Sequence, residues 1–174
     1  MEAPMRAHSL LEMAIVLSLA TTLCMLASPG LASLLHQGRD QLFASRITAC
    51  LMMARRMGQL APNGVQLNFA EEGNLRIQLA EEEEAALSLP YSQDGWSNSP
   101  LPGLPHPSQS GTIDVGLSSN HGNTVRFQHQ GSSSATITFS RADNHAVCAV
   151  VSSQTGRFRV YLWDDMTQQW LAHF

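Results

Sequence analysis

Few residues in this chain are placed to do chemistry. Glu12 is the only charge between Leu10 and Leu35 in an otherwise apolar stretch. A carboxylate on such a helix costs about 2.5–3.5 kcal/mol at mid-membrane and less near an interface. It must therefore sit at headgroup level or be paired. A cut just before His8 would place a new amine four residues from Glu12, and a neighbouring subunit's amine could meet the same carboxylate. The second candidate is Gly156-Arg157-Phe158-Arg159, the basic cluster of the C-terminal half. In an extended strand Arg157 and Arg159 share one face and Phe158 takes the other. Two guanidiniums on one face would touch phosphates in a salt-sensitive, sequence-independent way; the plainer reading is a solvated strand face. The seven His are dispersed, and no metal-ligand spacing, nucleophile elbow or phosphate loop is present. The expectation is a protein without catalytic residues, metal, cofactor or small-molecule substrate, and so not an enzyme.

The elements that must position these residues follow from composition and periodicity. The chain has 174 residues and a net charge of −4, and all ten of its basic residues are Arg. Such a balance opposes wholesale coating of nucleic acid but permits a local Arg site. Charge is uneven: residues 61–100 carry Glu71, Glu72, Glu81, Glu82, Glu83, Glu84 and Asp94 against Arg76. The four-Glu run is expected to be a solvated surface. The apolar stretch from Leu10 to Leu35 exceeds the roughly 20 residues a helix needs to cross a bilayer. From Phe43 the pattern becomes periodic, with Ile47, Cys50, Leu51, Ala54 and Met57 at three- and four-residue intervals. That spacing predicts an amphipathic helix with one buried stripe, closed near Gly58 by the turn Pro62-Asn63-Gly64. A helix over 8–60 would be about 80 Å long at 1.5 Å per residue.

The remainder reads as strands. Residues 65–69 and 75–79 alternate strictly around a turn at Glu71-Glu72-Gly73-Asn74. Further strands are expected at 113–117, 124–128, 136–140, 146–152 and 157–162. Residues 90–111 hold Pro90, Pro100, Pro102, Pro105 and Pro107 and read as a long surface loop. Trp96, Trp163 and Trp170 are expected to pack at edges. The expected fold class is α+β: a long N-terminal helix, its first half membrane-spanning, packed on a C-terminal antiparallel β-rich head.

The N-terminal residues Arg6-Ala7-His8-Ser9-Leu10-Leu11-Glu12-Met13, followed by the apolar run to Pro29, resemble the processing signal of type IV pilins and pseudopilins. In that family a short basic leader is removed by the prepilin peptidase and the new terminal amine is methylated. Glu12 falls fifth after the inferred cut and Pro29 twenty-second, where the family places its glutamate and often a helix-kinking proline. Ala7 and His8 stand where the family has Gly and usually Phe or Met. Val125-Arg126-Phe127, Gly131 and the segment from Val150 to Val160 look like the head of GspH/FimT-type minor pilins.

The resemblance implies a leader over 1–7, a transmembrane half over 8–35, an amphipathic half over 36–60 and a periplasmic β-rich head over 61–174. It implies cleavage and methylation at Ala7 and His8, and assembly through Glu12 and Pro29. The partners implied are other pilin or pseudopilin subunits, the prepilin peptidase and inner-membrane lipid, with the protein single-pass in the bacterial inner membrane. Its machine would be a type II secretion pseudopilus or a type IV pilus. In some FimT-like proteins the segment matching Arg157 and Arg159 is linked to DNA capture, so DNA is a further partner to consider. An oxidising compartment would allow a Cys50–Cys148 disulfide, against the plainer expectation that both are small buried hydrophobes. The rival reading is a secreted β-sandwich binding module with an ordinary signal peptide, since Gly30-Leu31-Ala32 offers a small-x-small cleavage site.

Overall fold

The computed structural model describes residues 10–70, 73–80, 85–121 and 123–173, without the side chains of residues 10, 11, 27–29, 31–33 and 85. Two compact units divide the chain, Met1–Arg39 and Asp40–Phe174. One α-helix, α1 (Leu10–Leu60), runs through the first unit and into the second. Ala7 and His8 lie outside the described residues. Pro29 falls within α1 by its backbone, and Glu12 is exposed in the first turn.

In the first unit the large apolar side chains of α1 face outward. Met13, Ile15, Val16, Leu19 and Leu23 are each more than half exposed, as are Met25, Leu26, Leu34 and Leu35. At 100° per residue these positions point in every direction around the helix axis. Ser18, Thr21 and Thr22 return their hydroxyls to backbone carbonyls three or four residues back, at 2.6–3.0 Å. Their polarity is thereby satisfied within the helix.

The expected membrane-spanning first half is corrected. Among the described residues no helix is long and apolar enough to cross a membrane. The transmembrane assignment and the single-pass inner-membrane localisation fall with it. The fold class is corrected too. Among the described residues, ten antiparallel strands in two sheets, against one α-helix and one 3-10 turn, make the protein β-rich rather than a pilin-like spanning helix with a head.

In the second unit α1 buries Phe43, Ala44, Ile47, Cys50, Leu51 and Ala54, while Leu42, Met52 and Met53 on the other face stay exposed. This is the three-four spacing of an apolar stripe. Thr48 sits within the buried face and donates to the Ala44 carbonyl at 2.8 Å, so burial leaves its hydroxyl satisfied. Gly58 lets the last turns pass the strand at residues 124–128 closely, for a Cβ there would stand 2.6 Å from the Phe127 carbonyl oxygen.

One sheet has the order β3 (Ala85–Pro90), β2 (Asn74–Leu79), β1 (Val65–Ala70), β5 (Thr124–Gln128), β6 (Gly131–Ser132). The other has the order β10 (Gln169–Ala172), β9 (Phe158–Asp164), β8 (His145–Val151), β7 (Ala135–Arg141), β4 (Leu117–Ser119). Val65 and Leu67 of β1 alternate inward, as do Val125 and Phe127 of β5. Inward residues of both sheets and the α1 stripe form one apolar core. At its centre Phe139 of β7 meets Phe43, Phe69 and Tyr91 at ring distances of 5.3, 5.9 and 5.1 Å.

Three features differ from the sequence expectation. Strands β3, β6 and β10 were not expected, and the strand expected at 113–117 lies instead at Leu117–Ser119. The Pro-rich segment does not remain on the surface. Its Trp96, Leu104 and Ile113 are buried, and Trp96 stacks on Phe43 at 4.3 Å. The segment lies against β7, where Asn98 donates to the Thr138 carbonyl at 3.0 Å and Ser97 pairs with Ser140. Strand β7 is consequently buried on both faces over Ala135 to Ser140.

Candidate functional site: an arginine groove

Strands β8 and β9 are joined by a tight turn that sets the direction of the basic cluster. Gly156 adopts φ 60°, a left-handed conformation that side chains disfavour, and its N–H donates to the Ser152 carbonyl at 3.0 Å. Ser152 N–H donates to the Arg157 carbonyl at 2.8 Å, and Arg157 N–H donates to Thr155 Oγ1 at 3.2 Å. With the chain so turned, Phe158 packs toward the core and Val160 is fully buried. Arg157, Arg159 and Tyr161 alternate onto the opposite face. Arg159 stands directly across from Val150 of β8.

These residues line a groove of about 700 Å³ whose other wall is α1 through Met52 and Arg55. Three guanidiniums therefore share one groove: Arg157 and Arg159 from the strand and Arg55 from the helix. No carboxylate lines it. Among the described residues none of the three makes a hydrogen bond or ion pair with another side chain. Arg55 passes beside the turn, with its Nε 3.8 Å from where a Cβ on Gly156 would be. The arrangement can hold an anion. Its remaining lining is mostly apolar or hydroxyl-bearing, with Phe158 and Tyr161 as the aromatic members.

Arg55 was not singled out by the sequence. The available signal was the pair Arg55-Arg56 on the polar face of a periodic helix, which by itself reads as solvated charge. A second unforeseen cluster is structural. Asp40, buried on α1, contacts His145 Nδ1 and lies 3.2 Å from Arg141 Nη1, and Arg141 forks onto Asp143 at 2.7 and 2.8 Å. Asp40 Oδ1 is within ion-pair range of Arg141 but accepts no aligned hydrogen bond. Burial pushes the Asp40 carboxyl above its usual range, while His145 and Arg141 pull it back. The Arg141 guanidinium lies over the Trp96 ring, 5.2 Å from its centroid.

Cys50 and Cys148 are free thiols in this structure. Both are buried, which pushes each thiol up to about 12, and Thr138 donates to Cys148 Sγ at 3.8 Å. Each fills core volume, Cys50 in the α1 stripe and Cys148 in β8. A separate polar pocket of about 370 Å³ contains His106. The backbone N–H groups of Ser108 and Gln109 donate to its Nδ1, which leaves Nε2–H to donate to Thr136. Burial lowers the His106 pKa, in keeping with this neutral tautomer. Trp163 and Trp170 pack edge to face at 5.2 Å, and Trp170 donates to the Pro105 carbonyl at 2.7 Å.

No known protein family, curated protein or solved structure matches this chain.

Proposed function

We propose that this chain is a non-enzymatic structural subunit of a pilin-like assembly, in which its N-terminal helix packs laterally against the helices of other subunits. The observation that supports it is the outward display of large apolar side chains from Met13 to Leu35 on every side of α1. A helix apolar all round is ordinarily covered, and neighbouring helices of the same kind are suitable cover. Glu12, at the start of that run, would contact a neighbour's terminal amine and set axial register. N-terminal sequencing of the protein from its native host tests this: a start at His8 supports the subunit reading, and a start at Ser33 refutes it. Glu12→Ala should lower co-purification with partner subunits while leaving the thermal transition of the β-rich unit unchanged.

The second reading is a secreted β-sandwich binding module with an ordinary signal peptide. Two observations favour it: the β-rich architecture, and the lack among the described residues of a helix long and apolar enough to cross a membrane. Processing at Ser33 is its expected signature.

A further inference from the structure

We propose that the groove between α1 and β9 binds an acidic, apolar-flanked peptide segment of a protein partner, with Arg55, Arg157 and Arg159 holding its carboxylates. The guanidinium is a planar fork that pairs a carboxylate through two parallel N–H···O bonds. Three such forks converge here without a lining carboxylate to neutralise them. Long Arg stems and short hydroxyls would suffice for phosphate alone. The walls formed by Met52, Val150 and Tyr161 add an apolar surface that a phosphodiester backbone does not use. A peptide does use it, because the methylenes of Glu and an adjacent apolar side chain are buried against such a wall.

The charge of the whole chain points the same way. The net charge is −4, and residues 61–100 alone carry −6 (one Arg against seven Asp and Glu). A net negative chain disfavours a long polyanion, whose many phosphates all feel that charge, more than a short segment with a few carboxylates. The sequence Glu81-Glu82-Glu83-Glu84 followed by Ala85-Ala86-Leu87 has the required chemistry and, as a free peptide, serves as a probe for such a partner. The helix of residues 10–39 takes no part in this contact, and its test is independent of the subunit reading above.

The experiment titrates the full chain into a fluorescein-labelled peptide with the sequence of residues 79–89 and follows anisotropy. Saturable binding is expected, weakened at least tenfold by Arg157→Ala with Arg159→Ala, and at least threefold by Arg55→Ala. Arg126→Ala, an exposed Arg outside the groove, should leave it within twofold. Arg157→Glu with Arg159→Glu should abolish binding of the acidic peptide while leaving the thermal transition unchanged, which shows that the variant is folded. Absence of saturable binding overturns the proposal, as does equal affinity across the Arg variants. Loss of peptide binding alongside Arg-dependent binding of a labelled DNA duplex also overturns it and assigns the groove to nucleic acid.

Discussion

Phe43 ties the helix to the rest of the β-rich unit, and its removal has a size that follows from the structure. Its ring is 3% exposed, stacks on Trp96 at 4.3 Å and meets the edge of Phe139 at 5.3 Å. Replacing a buried Phe by Ala costs about 3–5 kcal/mol, the transfer loss plus the cavity left behind. The upper half of that range applies here, because two aromatic pairs worth about 0.5–1.5 kcal/mol each are lost together. For a chain of this length each kcal/mol lowers Tm by about 2–4 °C, so a loss of about 4–5 kcal/mol in Phe43→Ala should lower it by about 8–20 °C. Leu42, the adjacent residue, is 55% exposed, and Leu42→Ala should cost no more than about 0.5 kcal/mol. Phe43→Leu, which restores most of the volume, should fall between the two. Thermal unfolding followed by Trp fluorescence compares all three, with Trp96 beside the altered site. Equal losses for Phe43→Ala and Leu42→Ala would refute the register of the buried stripe.

Gly58→Ala should destabilise by about 1–3 kcal/mol, seen as a lower urea midpoint, because its Cβ would press on the Phe127 backbone at 2.6 Å. In native protein a maleimide should label Cys24 alone, with Cys50 and Cys148 reacting only in denaturant, because burial holds both thiols near pKa 12 and out of solvent. Mass spectrometry counts the adducts. The Asp143 carboxyl is held below its usual 3.8 chiefly by its hydrogen bond from Arg141, so its stabilisation is full above that value and lost as pH falls through the depressed one. Asp40, raised by burial, has the opposite sign: its stabilisation is full below 3.8 and is lost as pH rises through the raised value. Urea midpoints across the acid range should therefore fall less steeply toward low pH in Asp143→Asn than in wild type.

The sequence by itself determined which elements have an apolar face and which face that is. The spacing of Phe43, Ile47, Cys50, Leu51 and Ala54 marks a helical stripe, and the alternation through Val65, Leu67, Leu75 and Ile77 marks two half-buried strands, because side-chain direction repeats every 3.6 residues in one case and every two in the other. Periodicity does not say what covers a face. Strand β7 is buried on both sides, so Thr136, Thr138 and Ser140 sit where alternation would place solvent; their hydroxyls are instead taken up by His106, Cys148 and the Ser99 carbonyl, two of them supplied by the Pro-rich segment. Strand β3 follows directly on the acidic run and ends at Pro90, and β10 has four residues, so neither offers a periodic window. The apolar run from Leu10 to Leu35 suggested a spanning helix by length and composition, whereas among the described residues no helix is long and apolar enough to cross a membrane. Arg157 and Arg159 share a face by strand geometry alone. That Arg55, about a hundred residues earlier, enters the same groove depends on the sheet register and the helix seat together, which local sequence does not encode.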